Sequence, residues 1–166
     1  MPHAKTRECL SLTIPSEFAQ IEAVEEQLRN IMHVFEYDTG PIDGVSTAFR
    51  EAMSNAIRWG NEYAYGRPVE ITLIIDRYET DLRIRDQGTN PIDFSRATQD
   101  FEQHPLELLG AVSERYETER RGGIGIGFMK AYMSEVNFAD IRDAQNKKIG
   151  TEVRMVYRNP KFISSR

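Results

Sequence analysis

Three short stretches of the sequence bring together side chains that can do chemistry. In "EAMSNAIRWGN", Glu51 and Asn55 stand four residues apart, so on a helix they lie along one line. A carboxylate there can take a proton from an attacking hydroxyl, and an amide oxygen is a hard ligand suited to magnesium. The plainer alternative is a pair of solvated helix polars. In "DLRIRDQG", strand alternation sets Leu82, Ile84 and Asp86 on one face and Arg83 and Arg85 on the other. A carboxylate on the apolar side of a strand needs hydrogen-bond donors. These are either the turn backbone at Gln87, Gly88 and Thr89, or the amino group of a buried heterocycle for which Gly88 leaves room.

The third stretch, "GGIGIGFMK", interleaves Gly122, Gly123, Gly125 and Gly127 with Ile124 and Ile126, just ahead of a helical pattern. Unpaired backbone N–H groups and the helix dipole favour an anion at such a start. Glycines admit phosphate oxygens close to the backbone, and Arg120 or Arg121 could reach a terminal phosphate. The alternative is a flexible hinge. No GxxxxGK(S/T) pattern occurs, and no strand opens the glycine loop, which speaks against the P-loop and dinucleotide fingerprints.

The elements that must position these groups are read from periodicity. Residues 8–14 alternate as a strand, and Ser16 reads as the cap of a helix over 17–35, with Phe18, Ile21, Val24, Leu28, Ile31 and Phe35 at helical spacing. A second helix is expected from Ile42 to Arg58, with Val45, Phe49, Ala52, Ala56 and Trp59 as its apolar stripe. Strands at 69–75 and 81–86 form a hairpin, and a long connection over 87–122 holds a short helix between Pro105 and Arg115. A helix at 128–133 and strands at 135–141 and 150–158 complete the chain. This order predicts an α+β two-layer sandwich: a mainly antiparallel mixed sheet with the helices on one face, not a Rossmann fold.

At 166 residues the chain is expected to form one domain, 1–166. A net charge of -5 argues against direct nucleic-acid binding. A single cysteine, Cys9, excludes a disulfide framework and a multi-cysteine metal site, and its alternating context predicts a buried thiol. No run is long enough to span a membrane, and the first residues lack the apolar core of a signal peptide; a cytoplasmic protein is expected.

A Glu/Asn helix, an Asp-x-Gly at a strand end, a long loop, a glycine-rich helix start and Gly150-Thr151 opening the last strand follow in one order. Together they describe a nucleotide pocket between sheet and helices. In this the chain resembles the GHKL (Bergerat-fold) ATPases, and within them the anti-sigma-factor serine/threonine kinases of bacterial partner-switching systems. The likeness runs from "LTIPSEF" to "GTEVRMVYR", and "FREAMSNAIRWGN" is similar to the family's N-box.

The resemblance implies roles for the residues above. Glu51 would be the general base, Asn55 the magnesium ligand, and Asp86, with Gly88 beside it, the acceptor of the adenine amino group, supported by Thr151. Residues Gly122 to Gly127 would be the phosphate-binding G2 box. Arg121 would balance charge at the γ-phosphate and Arg120 would bind nucleotide, although the choice among Arg115, Arg120 and Arg121 stays open. The cofactors would be ATP and Mg²⁺, under a lid at about 95–121. The substrate would be a STAS-type anti-sigma-factor antagonist, the client a sigma factor, and the assembly a homodimer. A nucleotide-binding scaffold without turnover and the ATP-binding half of a split histidine kinase are the alternatives. Two departures stand out: Asn90 where the family often has a second glycine, and Gly127-Phe128 where a leucine is common.

Overall fold

The computed structural model describes residues 6–90 and 123–163. Arg115, Arg120, Arg121, Gly122, the short helix expected between Pro105 and Arg115, and the lid assigned to 95–121 lie outside the described residues. Strand β1 (Glu8–Ile14) turns Leu10, Leu12 and Ile14 to the core and leaves Cys9, Ser11 and Thr13 exposed. Cys9 is therefore an exposed thiol, not a buried one. It falls on the outward phase of an edge strand whose aliphatic residues claim the inner face.

Helix α1 (Ala19–Val34) begins after Phe18, and its apolar stripe buries Ile21, Val24, Leu28 and Met32. Ser16 does not cap it. Its hydroxyl donates instead to the carbonyl of Arg67 at 2.6 Å. Helix α2 (Thr39–Asn55) starts three residues before Ile42, because Pro41 fits a first turn, where its missing N–H leaves nothing unpaired. It ends early in a π turn, Ala56–Gly60, closed by the Asn61 N–H on the Ala56 carbonyl at 2.8 Å. The extra residue in that turn rotates Trp59 off the apolar stripe: it is 44% exposed, while Ala56 and Ile57 remain buried.

Strands β2 (Val69–Ile75) and β3 (Glu79–Asp86) form the expected hairpin. Helix α3 (Gly123–Tyr132) starts five residues before Phe128, so Gly123, Gly125 and Gly127 lie within it. Strands β4 (Glu135–Arg142) and β5 (Lys148–Arg158) follow, then a short α4 (Pro160–Ile163). The sheet order is β1-β2-β3-β5-β4, and every pairing among the described residues is antiparallel. The core lies between sheet and helices, where Leu28, Met32, Phe49, Met53, Ile57 and Met129 meet Ile71, Leu73, Leu82, Ile84 and Met155. Burying each such side chain stabilises the fold by roughly 1.5–3 kcal/mol before ordering entropy is subtracted.

Helices α2 and α3 pack antiparallel through two glycines. A Cβ at Gly44 would stand 2.8 Å from the Tyr132 ring, and one at Gly125 would stand 2.6 Å from Glu51 Oε2. Each pair of positions is two helical turns apart on its own helix, so the start of α3 lies beside the C-terminal half of α2.

Candidate functional site

Alternation along β3 puts its last residue, Asp86, on the helix side of the sheet, where it is only 8% exposed. Its Oδ1 accepts the backbone N–H of Gly88 at 2.8 Å and that of Thr151 at 3.2 Å. The turn backbone is thus one real donor, but it occupies one oxygen. Oδ2 accepts no hydrogen bond among the described residues and lies against Gly60. Burial pushes the Asp86 carboxyl above the ordinary carboxylate range; the two N–H groups and the charge of Lys148 act against that rise.

Three glycines make this burial feasible. A Cβ at Gly60 would overlap the Asp86 carboxyl, one at Gly88 would overlap the Gly60 carbonyl, and one at Gly150 would overlap the Asp86 carbonyl. Thr151 pairs with Asp86 on one side and Asp140 on the other, so these three side chains form a row across β3, β5 and β4. The Thr151 hydroxyl is buried and has no hydrogen-bond partner among the described residues. An accepting carboxylate oxygen, an unpaired hydroxyl and side-chain-free backbone fit a flat heterocycle that carries an amino group. These are the positions at which the resemblance placed adenine.

Asn61 holds this arrangement in place and was missed in the sequence. It is fully buried. Its Oδ1 accepts the Gln87 N–H at 2.7 Å, and its Nδ2 donates to Ser16 Oγ at 2.9 Å and to the carbonyls of Arg67 and Pro68 at 2.7 and 3.2 Å. One side chain thereby ties the π turn to the loop after β3 and to the entry of β2. The available signal was a Gly-Asn pair interrupting a helical stripe, which marks a turn but not its partners.

Glu51 and Asn55 are half-buried on α2, Asn55 as its last residue. The Glu51 carboxylate lies against the backbone of α3 at Gly125, so the structure joins the Glu/Asn helix to the glycine-rich helix start. Gly123, Ile124, Gly125, Ile126 and Gly127 all belong to the first half of α3, with Ile126 turned into the core. Among the described residues no group of three or more His, Cys, Asp or Glu could hold a metal ion alone. A magnesium bound at Asn55 would draw most of its ligands from phosphate and water.

Asn90, the position that departs from the glycine pattern, does not adopt a positive φ. Its side chain donates to Glu62 at 3.1 Å and its carbonyl accepts from Lys148 at 2.9 Å, so the loop needs no glycine there. No helix among the described residues is long and apolar enough to cross a membrane.

A family model described as the histidine kinase-like ATPase domain matches residues 14–157. Among solved structures, 14 chains match. One, described as the crystal structure of the SiaB-SiaC complex from Pseudomonas aeruginosa, superposes with a TM-score of 0.59 over 89% of each chain at 15% identity. At that identity the likeness speaks to the fold. No curated protein sequence matches the chain.

Proposed function

The chain belongs to the histidine kinase-like ATPase domain family, and from that premise we propose that it is an anti-sigma factor with serine/threonine kinase activity. It binds Mg-ATP and phosphorylates a STAS-type anti-sigma-factor antagonist in a bacterial partner-switching system. One observation carries the nucleotide reading: the buried Asp86, ringed by Gly60, Gly88 and Gly150, beside the unpaired Thr151 hydroxyl. The solved structure that superposes on the chain is itself described as a complex of two proteins, which supports a role exercised through a partner.

In this reading Asp86 Oδ2 accepts the adenine amino group, and Thr151 fills its own hydrogen bond on the same ring. The start of α3 faces the phosphates, and Arg120 and Arg121, which precede it in the sequence, are assigned to phosphate charge. Asn55 would hold a magnesium ion, which when bound would supply positive charge against the phosphate oxygens. Glu51, held against Gly125, accepts or orients the proton of the attacking Ser or Thr hydroxyl. Phosphorylation places negative charge in the antagonist interface and releases it, freeing the kinase for a sigma factor. The active form is a homodimer.

The test is binding of ATP and ADP with and without magnesium, by wild type and Asn55→Ala, followed by transfer of γ-labelled phosphate to a STAS antagonist. Magnesium-dependent ATP binding lost in Asn55→Ala, with label on a serine or threonine, is the expected result. Binding without transfer would favour a regulatory scaffold, and acid-labile label on a histidine would favour a split histidine kinase. No binding at millimolar nucleotide would overturn the reading.

A further inference from the structure

Lys148 is a lysine with an unusual seat. Its side chain is only 10% exposed, its Nζ lies 3.0 Å from Asp140 Oδ1, and it donates to the Asn90 carbonyl at 2.9 Å. Those two partners come from different places: β4, and the loop that leaves β3 just after Asp86. Burying most of a lysine side chain costs solvation and rotamer freedom, so the contacts it makes in return must be specific. Asp140 is also held by Arg142 at 2.8 Å, so it could keep a cationic partner without Lys148.

What Lys148 adds lies one residue along the row. Asp140, Thr151 and Asp86 stand side by side across the sheet, and Lys148, seated on Asp140 and on the Asn90 carbonyl, opposes the rise of the Asp86 carboxyl, more weakly than the N–H groups of Gly88 and Thr151 do. Among the described residues the other elements against Asp86 bring no charge to it: the π turn offers Gly60 and the buried amide Asn61, the following loop Gln87 and Gly88, and β5 Thr151. We propose that Lys148 is a positioning residue for adenine recognition: its ammonium keeps Asp86 in the ionised, accepting form and ties the loop at Asn90 to the end of the sheet. The proposal rests on the nucleotide reading above and assigns a role that neither the glycines nor the Asp-x-Gly pattern contains.

A carboxylate buried beside a lysine loses its acceptor character at higher pH once that lysine is gone. The sign follows from the charge: removing a cation makes ionisation harder, so the proton returns sooner as pH falls. The experiment is calorimetric titration of ADP into the full chain from pH about 5 to 8, for wild type, Lys148→Met, Lys148→Arg, Asp140→Asn and Asp86→Asn. The acid limb of ADP affinity should move to higher pH in Lys148→Met, return to the wild-type position in Lys148→Arg, and not rise in Asp140→Asn. Titration of the ADP phosphates is common to all five proteins and cancels in the comparison.

An unmoved acid limb in Lys148→Met, with or without a uniform loss of affinity, would overturn the proposal; a uniform loss would mean a purely structural lysine. Should Lys148→Met fail to fold, Lys148→Gln makes the same measurement. Wild-type affinity in Asp86→Asn would instead overturn the adenine reading itself, which separates the two failures.

Discussion

Replacing Asp86 by asparagine changes one atom and should separate binding from folding. The two carboxylate oxygens differ: Oδ1 takes the N–H groups of Gly88 and Thr151, and Oδ2, which accepts no hydrogen bond among the described residues, is the oxygen proposed for the ligand. An amide must place its NH₂ at one of these positions. It then opposes either the adenine amino group or two backbone donors, a donor–donor conflict in both cases. A hydrogen bond to a charged acceptor contributes about 1.5–3 kcal/mol. With the conflict added, ADP affinity should fall by about 100-fold, equivalent to ~2.7 kcal/mol.

The unliganded fold should respond in the opposite direction. Burial holds the Asp86 carboxyl above its ordinary value of 3.8 in the folded chain. Between those two values the folded state binds more protons than the unfolded one, so stability rises as pH falls and the ionised group is a cost at neutral pH. Asp86→Asn removes that charge, and its urea midpoint at neutral pH should equal or exceed that of wild type. The assay pairs ADP calorimetry with urea unfolding on the same preparations. Affinity within about threefold of wild type would refute the assignment of Oδ2 to the ligand.

Glu51→Gln should leave ADP affinity within about threefold while slowing phosphoryl transfer by about 100-fold or more, read by label incorporation; equal losses in both would make Glu51 a binding group. Gly60→Ala drives a methyl into the Asp86 carboxyl. It should destabilise the fold by about 1–3 kcal/mol in urea unfolding and abolish ADP binding, and a wild-type-like protein would show that the close approach is not required. On the opposite face of the sheet, Asp81 is 5% exposed and paired with Arg154 and Arg83. Hydrogen bonds and charge from the two arginines outweigh its burial and hold its carboxyl below 3.8. Its contribution is therefore complete above 3.8 and lost as pH falls through the folded-state value, so Asp81→Asn should flatten the acid end of the stability–pH curve.

Much of the architecture is legible because its causes are local. The strand over 69–75 follows from a bounded, β-branched run, and its observed limits are the same. The alternation of "DLRIRD" was enough to put Asp86 on the core side. The Glu51/Asn55 spacing put both residues along one line of α2, where they are found half-buried. Trp59 shows where periodicity stops working. A reading at 3.6 residues per turn carries the stripe straight through it, whereas the π turn inserts a residue and turns it outward.

The residue types and their order, read alone, determined the two-layer α+β arrangement and the nucleotide-site candidates at Glu51, Asn55, Asp86, Gly88 and Thr151. The first four were announced by a carboxylate, an amide or a glycine breaking a local pattern, and Thr151 by the family resemblance. Only the tertiary structure decided what those breaks serve. Gly125 has no side chain because Glu51 arrives from another helix, and Gly60, in the π turn, has none because Asp86 arrives from the end of β3. Asn61 and Lys148 matter through partners on other elements, Asn61 at Gln87, 26 residues away, and Lys148 at Asn90, 58 residues away. Close approach and electrostatic pairing depend on distance in space, and at such separations the chain order does not contain that distance.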